Sequence, residues 1–179
     1  MSDSPWSWLV SRKDELQAMT PAEAEAVFRA ELAKLDAGLD ADVSDELGER
    51  KVVVSANRDA ALFDRVRELV AAAPAMPRWS FSALRPARGF EFEFHAGRNI
   101  DARALGFVPR QTDEGLVVRL LVPNPEFEGW ADIAWQIVEA GIGEEAAARI
   151  AGLEVDARGA EDDHVLAIES LPKYVARHT

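Results

Sequence analysis

The chain has 179 residues, of which 48% are hydrophobic and 29% charged, a composition that excludes a mainly disordered protein. The absence of cysteine excludes disulfides, thiol nucleophiles and cysteine metal sites. The net charge of −12 disfavours general binding to nucleic acid, because the phosphate backbone would repel the chain.

The first 38 residues predict two helices. The first has apolar residues near helical spacing: Trp6, Trp8, Leu9 and Leu16. The second begins at a capping signal, with Thr20 as N-cap, Pro21 in the first turn and Glu23 three residues after the cap. Its apolar stripe ends before Gly38, which suits a helix C-terminus. We therefore expect residues 1–38 to form a helical pair packed on the main domain.

The order strand, strand, helix, strand occurs twice in the rest of the chain, at 39–86 and at 104–158. Strand signals are alternating or β-branched apolar runs, and helix signals are apolar stripes of period 3.6. The repeat suggests two ββαβ halves. We predict an α+β fold with an antiparallel or mixed sheet and two packed helices. Residues 39–179 are expected to be one α+β domain, within a chain that is a single folding unit overall.

Local sequence patterns predict the structure of three further segments. Phe90, Phe92 and Phe94 alternate with charged residues, which predicts a strand over 90–95. Gly141 and Gly143, at the end of the apolar helix 130–142, predict a helix break with acidic capping. Residues 164–171 predict a strand that Pro172 ends, followed by a tail that is a short helix or disordered.

Several segments together resemble a family of bacterial proteins. They are Pro-Trp-Ser-Trp-Leu at 5–9, residues 52–57, residues 63–70, residues 73–86 and Ala-Gly-Ile-Gly-Glu at 140–144. They occur in order over most of residues 6–145, and the C-terminal third departs from the pattern. The family consists of uncharacterised domains of unknown function, distantly similar to the small α+β domains that include the inhibitory regulator of ribonuclease E. The resemblance implies the α+β architecture and no particular activity.

The N-terminus and the residue usage predict a cytoplasmic bacterial protein. Residues 1–7 are polar and acidic, and no apolar signal region follows them. No apolar stretch of the sequence reaches the length of a membrane span. Arginine outnumbers lysine 16 to 4, a bias typical of GC-rich bacterial genomes.

Charge is unevenly distributed, which suggests a partner-binding region. Residues 51–110 carry ten basic and six acidic side chains, whereas the segments on either side are strongly acidic. Within this region Trp79, Arg85 and Arg88 form our candidate binding site, since a tryptophan beside arginines can anchor a protein partner. The alternative is a purely structural role, in which the arginines pair with neighbouring acids and Trp79 packs in the core or at an edge of the sheet. We expect Arg85→Glu to abolish capture of the partner without changing the thermal midpoint.

A second hypothesis places a small-molecule or hydrolytic site on the predicted strand 90–95. Glu91, Glu93 and His95 would share one face of that strand, with an arginine supplied from nearby, and could perform acid–base chemistry. Glu93 and His95 are the binding candidates here, and their alternative is an ordinary solvated strand face. The sequence predicts no catalytic motif, metal site or cofactor, so a non-catalytic protein-binding or regulatory role is the leading hypothesis. Oligomeric state is left open.

Overall fold

The computed structural model describes residues 4–95, 99–123, 125–126, 128–157 and 164–178, and its fold is α+β, as predicted. The chain divides into two compact units, Met1–Arg85 and Pro86–Thr179. The domain organisation predicted from the sequence, residues 1–38 packed on 39–179 within a single folding unit, stays a prediction. Within the described residues, no helix combines the length and apolarity needed to cross a membrane.

The first unit begins with helices. The first of the two helices predicted from the sequence is divided into two shorter ones. The helices are α1 (Ser7–Ser11), α2 (Lys13–Ala18) and α3 (Pro21–Leu35). Arg12 separates α1 from α2 because its φ of −112° lies outside the helical range. The predicted capping box is confirmed: the Thr20 side chain accepts from the Glu23 amide, and the Glu23 carboxylate accepts from the Thr20 amide.

A three-stranded sheet follows, with α4 (Phe63–Ala71) between its second and third strands. Strand β1 (Asp40–Glu46) pairs antiparallel with β2 (Glu49–Ser55), and β3 (Trp79–Ala83) pairs parallel with β2. The ring of Phe81 lies 5.4 Å from Trp6 and 6.4 Å from Phe28, so α3 and the residue preceding α1 contact this face of β3. The buried rings of Trp6 and Phe28, together with the buried Val52 and Val54 of β2, belong to the core of the unit.

The second unit contains a four-stranded sheet in the order β8-β7-β6-β9. Its strands are β6 (Gly106–Thr112), β7 (Gly115–Val122), β8 (Ile150–Ala157) and β9 (Leu166–Ala167), and its helices are α5 (Trp130–Ile142), α6 (Glu144–Ala147) and α7 (Leu171–His178). A separate antiparallel pair is formed by β4 (Glu93–His95) and β5 (Asn99–Asp101). The core joins α5, α7 and the buried side chains of β7.

The two units contain the same ββαβ arrangement that the sequence suggested. In each, an antiparallel hairpin (β1–β2 or β6–β7) is followed by a helix and then by a strand parallel to the second strand of the hairpin. The middle strand of each motif is the one with β-branched, largely buried residues, because it has a neighbour on both sides.

The predicted strand over 90–95 is wrong in its first half. Only Glu93–His95 is a strand, because the chain before it is held by α5: the Arg88 amide donates to the Ala140 carbonyl at 2.8 Å and the Gly89 amide to Gly141 at 3.1 Å. This brings the Phe90 ring directly onto Gly141, where a Cβ would lie 2.1 Å from the ring. Gly141 is therefore inside α5, and the helix ends at Gly143, whose φ is +85°.

The predicted strand over 164–171 is also mostly wrong. Only two residues, Leu166 and Ala167, pair as a strand, and Leu171 then begins α7. Pro172 lies in the first turn of this helix, where the missing amide hydrogen costs nothing. The tail is thus helical as far as His178.

Candidate binding site

Trp79 lies at the start of β3, directly opposite Arg50 of β2. Its indole is half-buried, and the ring Nε1 donates a hydrogen bond to Oε1 of Gln17 on α2 at 2.7 Å. Its ring centre lies 6.2 Å from that of Phe81, with the two rings nearly parallel, and 6.0 Å from that of Phe28. The sheet, α2 and α3 therefore fix the orientation of the indole.

Arg50 supports Trp79 from within the unit. Only 3% of Arg50 is exposed, and its guanidinium carbon lies 5.6 Å from the centre of the indole, within cation–π range. The guanidinium donates to the Leu16 and Met19 carbonyls, the second at 2.9 Å. It also donates to both carboxylate oxygens of Asp45, at 2.8 and 2.9 Å. Arg50 thus joins the C-terminal end of α2 to the β1–β2 hairpin.

The same ion pair shifts both ionisation equilibria toward the charged forms. The hydrogen bonds from Arg50 hold the pKa of the Asp45 carboxyl below its usual value, against a smaller opposing effect of burial. The bonds to Asp45 raise the pKa of the Arg50 guanidinium. The cation behind Trp79 is therefore held in its charged form, and its counter-ion stays charged to a lower pH than an ordinary aspartate.

A cleft of about 200 Å³ opens beside the indole, and we call it the Trp79 cleft. Its lining combines residues of α2 with the segment that leads into β3: Lys13, Asp14, Gln17, Met76, Pro77, Arg78 and Trp79. Met76, Pro77 and the indole give the cleft an apolar surface, while Lys13 and Arg78 are exposed cations. Arg78 has a φ of +64°, and its carbonyl accepts a 2.8 Å hydrogen bond from the Arg50 amide. The cleft suits an apolar side chain with a carboxylate beside it.

Arg85 does not extend this cleft. Strand β3 ends at Ala83, because Leu84 adopts a φ of +62°, and Arg85 then turns toward β1. Its guanidinium contacts Asp42 at 2.5 Å and Asp40 at 3.0 Å, and Asp40 is shared with Arg29 at 2.7 Å. Arg85 is thus paired with acidic residues, which is the structural alternative that the sequence left open. Arg85→Glu would place three carboxylates together, so this geometry leads us to expect a lower thermal midpoint rather than an unchanged one. Binding of a partner by Arg85 stays a prediction.

Arg88, Glu93 and His95 belong to the second unit. Arg88 is exposed, with its amide bound to Ala140, and Glu93 is exposed with Asn99 Nδ2 at 3.5 Å from its carboxylate. His95 pairs with Asn99 through the backbone of β4 and β5, and its side chain lies outside the described residues. Glu91 precedes β4, so the three-residue strand face expected from Glu91, Glu93 and His95 is reduced to the last two.

The second unit has another cleft, of about 330 Å³, on its four-stranded sheet. It is lined by Val108, Pro109, Arg110, Arg119 and Glu154. Arg110 forms an ion pair with Glu154, and Arg119 approaches Asp156 at 3.5 Å, so both cations have partners within the sheet. Within the described ranges, no group of three or more histidine or acidic side chains is placed to hold a metal ion.

The sequence pattern points to Trp79 as a predicted binding residue and does not indicate Arg50 or Gln17, which hold its indole in place. Arg50 occurs in the run Glu-Arg-Lys, which is typical of a solvated strand. Its inward position follows from the register, because Arg50 alternates with the exposed Glu49 and lies in phase with the buried Val52 and Val54. Gln17 carried no signal, since it lies 62 residues from its partner.

Comparison with known proteins gives no match, whether against family models, curated proteins or solved structures. The family resemblance noted in the sequence stays a prediction.

Proposed function

We propose that the protein is a non-catalytic binding protein that holds a segment of a protein partner in the Trp79 cleft. The observation that carries the proposal is the indole itself, half-exposed at the cleft and fixed by Gln17 and Arg50. Tryptophan is enriched among the residues that dominate binding energy at protein interfaces. A side chain already held in place loses little entropy on binding, so its contact area converts efficiently to affinity.

The chemistry of the cleft defines the ligand class. The apolar surface of Met76, Pro77 and Trp79 favours an aliphatic side chain, and the exposed Lys13 and Arg78 favour a neighbouring carboxylate. Asp14 offsets part of this positive charge. The ligand is therefore an acidic peptide segment with one large apolar residue, presented by a second polypeptide chain.

The proposal also concerns the cellular location of the protein and the remaining candidate residues. We place the protein in the bacterial cytoplasm, on its lack of cysteine and its preference for arginine over lysine. Arg85 and Arg88 stay predicted binding residues, and neither is among the residues that line the Trp79 cleft. The alternative, a small-molecule or hydrolytic site around Glu93 and His95, also stays a prediction.

A random-peptide phage library panned on the immobilised protein tests the proposal. We expect selected peptides to share an aliphatic residue flanked by Asp or Glu, and to bind wild type in calorimetry. Two variants should each weaken binding by about tenfold. Met76→Ser removes apolar surface from the cleft, and the double variant Lys13→Glu, Arg78→Glu reverses the charge of its exposed cations. Trp8→Phe is the control, since Trp8 contacts Trp6 and Phe28 and does not line the cleft. Selected peptides that bind all variants equally would refute the proposal.

A further inference from the structure

The turn between β1 and β2 exposes a leucine in an unfavourable backbone conformation. Glu46 pairs with Glu49, so Leu47 and Gly48 form a two-residue turn, and their φ angles are +52° and +83°. Positive φ at both positions is the type I′ geometry, which favours Asn-Gly. A bulky residue in the left-handed region is an outlier that costs stability. Leu47 is also 100% exposed, so no packing within the protein offsets this cost.

The exposed leucine is bordered by acids. Glu46 and Glu49 precede and follow the turn, and both are exposed. Glu46 forms an ion pair with Lys51, on the same hairpin. We call residues 46–49 the hairpin tip. Its chemistry, one aliphatic side chain between carboxylates, is the chemistry that the Trp79 cleft would accept.

The hairpin tip and the cleft lie at the same end of the three-stranded sheet. In the pairing of the strands, Glu46 and Glu49 are the last pair of β1 and β2, and Trp79 is opposite Arg50, the residue next to Glu49. The tip does not fill the cleft of its own chain, since Leu47 is fully exposed. A second copy turned by a two-fold rotation can therefore place each tip against the other's cleft, in the reciprocal contact that closed dimers use.

We propose that the Trp79 cleft binds the hairpin tip of a second copy of this chain, giving a symmetric dimer with two identical contacts. Leu47 enters the apolar part of the cleft, and Glu49 faces the cations Lys13 and Arg78. This inference rests on the proposed function, because it names the occupant of the same cleft. The dimer explains why an exposed leucine occupies a turn position that asparagine would fill at lower conformational cost.

Sedimentation equilibrium of the full chain between about 1 µM and about 500 µM tests the dimer. We expect wild type to show a concentration-dependent dimer, and Leu47→Asn to raise the dissociation constant by at least about tenfold. Asparagine suits the turn, so this variant should fold at least as well as wild type. Val10→Asn is the matched control, because Val10 is another exposed apolar residue, 56% exposed on α1. A wild type that stays monomeric, or a dimer unaffected by Leu47→Asn, would overturn the inference.

A charge exchange identifies the contact. Variant A is Glu49→Lys, and variant B is Lys13→Glu with Arg78→Glu. In each variant alone, tip and cleft carry like charges, so we expect dimerisation to weaken. When A and B are mixed, both contacts regain opposite charges, and a mixed dimer should form more tightly than either variant's own dimer. A mixture no tighter than its components would contradict the tip–cleft contact.

The two proposals fail in different ways. If the protein stays monomeric while phage-selected peptides bind the cleft, the cleft holds a segment of another protein and only the dimer is refuted. If neither occurs, the proposed function is refuted with it.

Discussion

The guanidinium of Arg50 lies 5.6 Å from the indole of Trp79, so the aromatic residue that lines the cleft packs against a buried cation. The cation in turn joins elements that are far apart in the sequence, through the Met19 carbonyl and the Asp45 carboxylate. The shape of the cleft therefore depends on one side chain that a ligand would not touch.

Replacing that side chain with lysine should destabilise the first unit. A lysine ammonium cannot reproduce the planar fork that contacts Asp45 and two carbonyls at once. We expect Arg50→Lys to lower the free energy of unfolding by about 3 kcal/mol, measured by urea denaturation. Arg67→Lys is the control, since Arg67 forms an exposed ion pair with Asp64, and it should cost less than about 0.5 kcal/mol. Equal losses in the free energy of unfolding for the two substitutions would contradict this structural role of Arg50.

The Arg50–Asp45 pair also predicts a pH dependence. The pKa of Asp45 is lowered in the folded protein by the hydrogen bonds from Arg50. A lowered folded-state pKa contributes stability above the unfolded-state pKa, and this contribution disappears as the pH falls through the folded-state pKa. We therefore expect the stability of wild type to fall more steeply than that of Asp45→Asn as the pH drops from about 5 to about 2.

The measurement is urea unfolding at a series of pH values, with Asp64→Asn as the control because its side chain is 92% exposed. The control should follow the wild-type curve. Parallel curves for wild type and Asp45→Asn would contradict the role assigned to the ion pair.

Much of the fold could be predicted because its signals are local. Thr20 and Glu23 lie three residues apart, and the alternation of β1 and the valine run of β2 are visible in short windows. The ββαβ order of both units follows from such windows alone. The strand at Phe90 was mispredicted because its ring packs on Gly141, 51 residues away, and this contact overrides the local alternation.

The candidate site could be predicted only in part. Trp79 is predicted as a binding residue from its residue type and the arginines near it in the sequence. The cleft depends on α2 lying against the segment before β3, and nothing in either segment alone indicates this contact. The ion pairs of Arg85 could not be predicted, because its acidic partners Asp40 and Asp42 precede it by more than 40 residues. Its binding role stays a prediction.

Arg85 is expected to contribute to stability. Its guanidinium is 22% exposed and contacts two carboxylates, of which Asp40 is 20% exposed. Arg85→Glu would leave these carboxylates facing a third, at a cost of about 2 kcal/mol and a clear fall in the thermal midpoint. Arg88→Glu should leave the midpoint nearly unchanged, since Arg88 is exposed. Differential scanning calorimetry compares the two, and coincident midpoints would refute this role for Arg85.

Gly141 is expected to be intolerant of any side chain. A Cβ there would lie 2.1 Å from the Phe90 ring, so Gly141→Ala must displace a ring that is only 3% exposed. We expect a loss of about 1–3 kcal/mol in the free energy of unfolding. Adding Phe90→Leu should recover part of this loss, because the smaller side chain leaves room for the methyl group. Strictly additive effects of the two substitutions would show that the ring is not the obstacle.

The central claim, that the Trp79 cleft binds protein segments, is tested most directly by nuclear magnetic resonance of the indole Nε1–H of Trp79. The resonance is assigned by its loss in Trp79→Phe and followed while a phage-selected acidic peptide is added. The Nε1–H of Trp79 should shift progressively to saturation, because it lies at the cleft and is hydrogen-bonded to Gln17, whereas the buried Trp130 should not respond. A peptide that binds while the Trp79 resonance stays in place would contradict the claim.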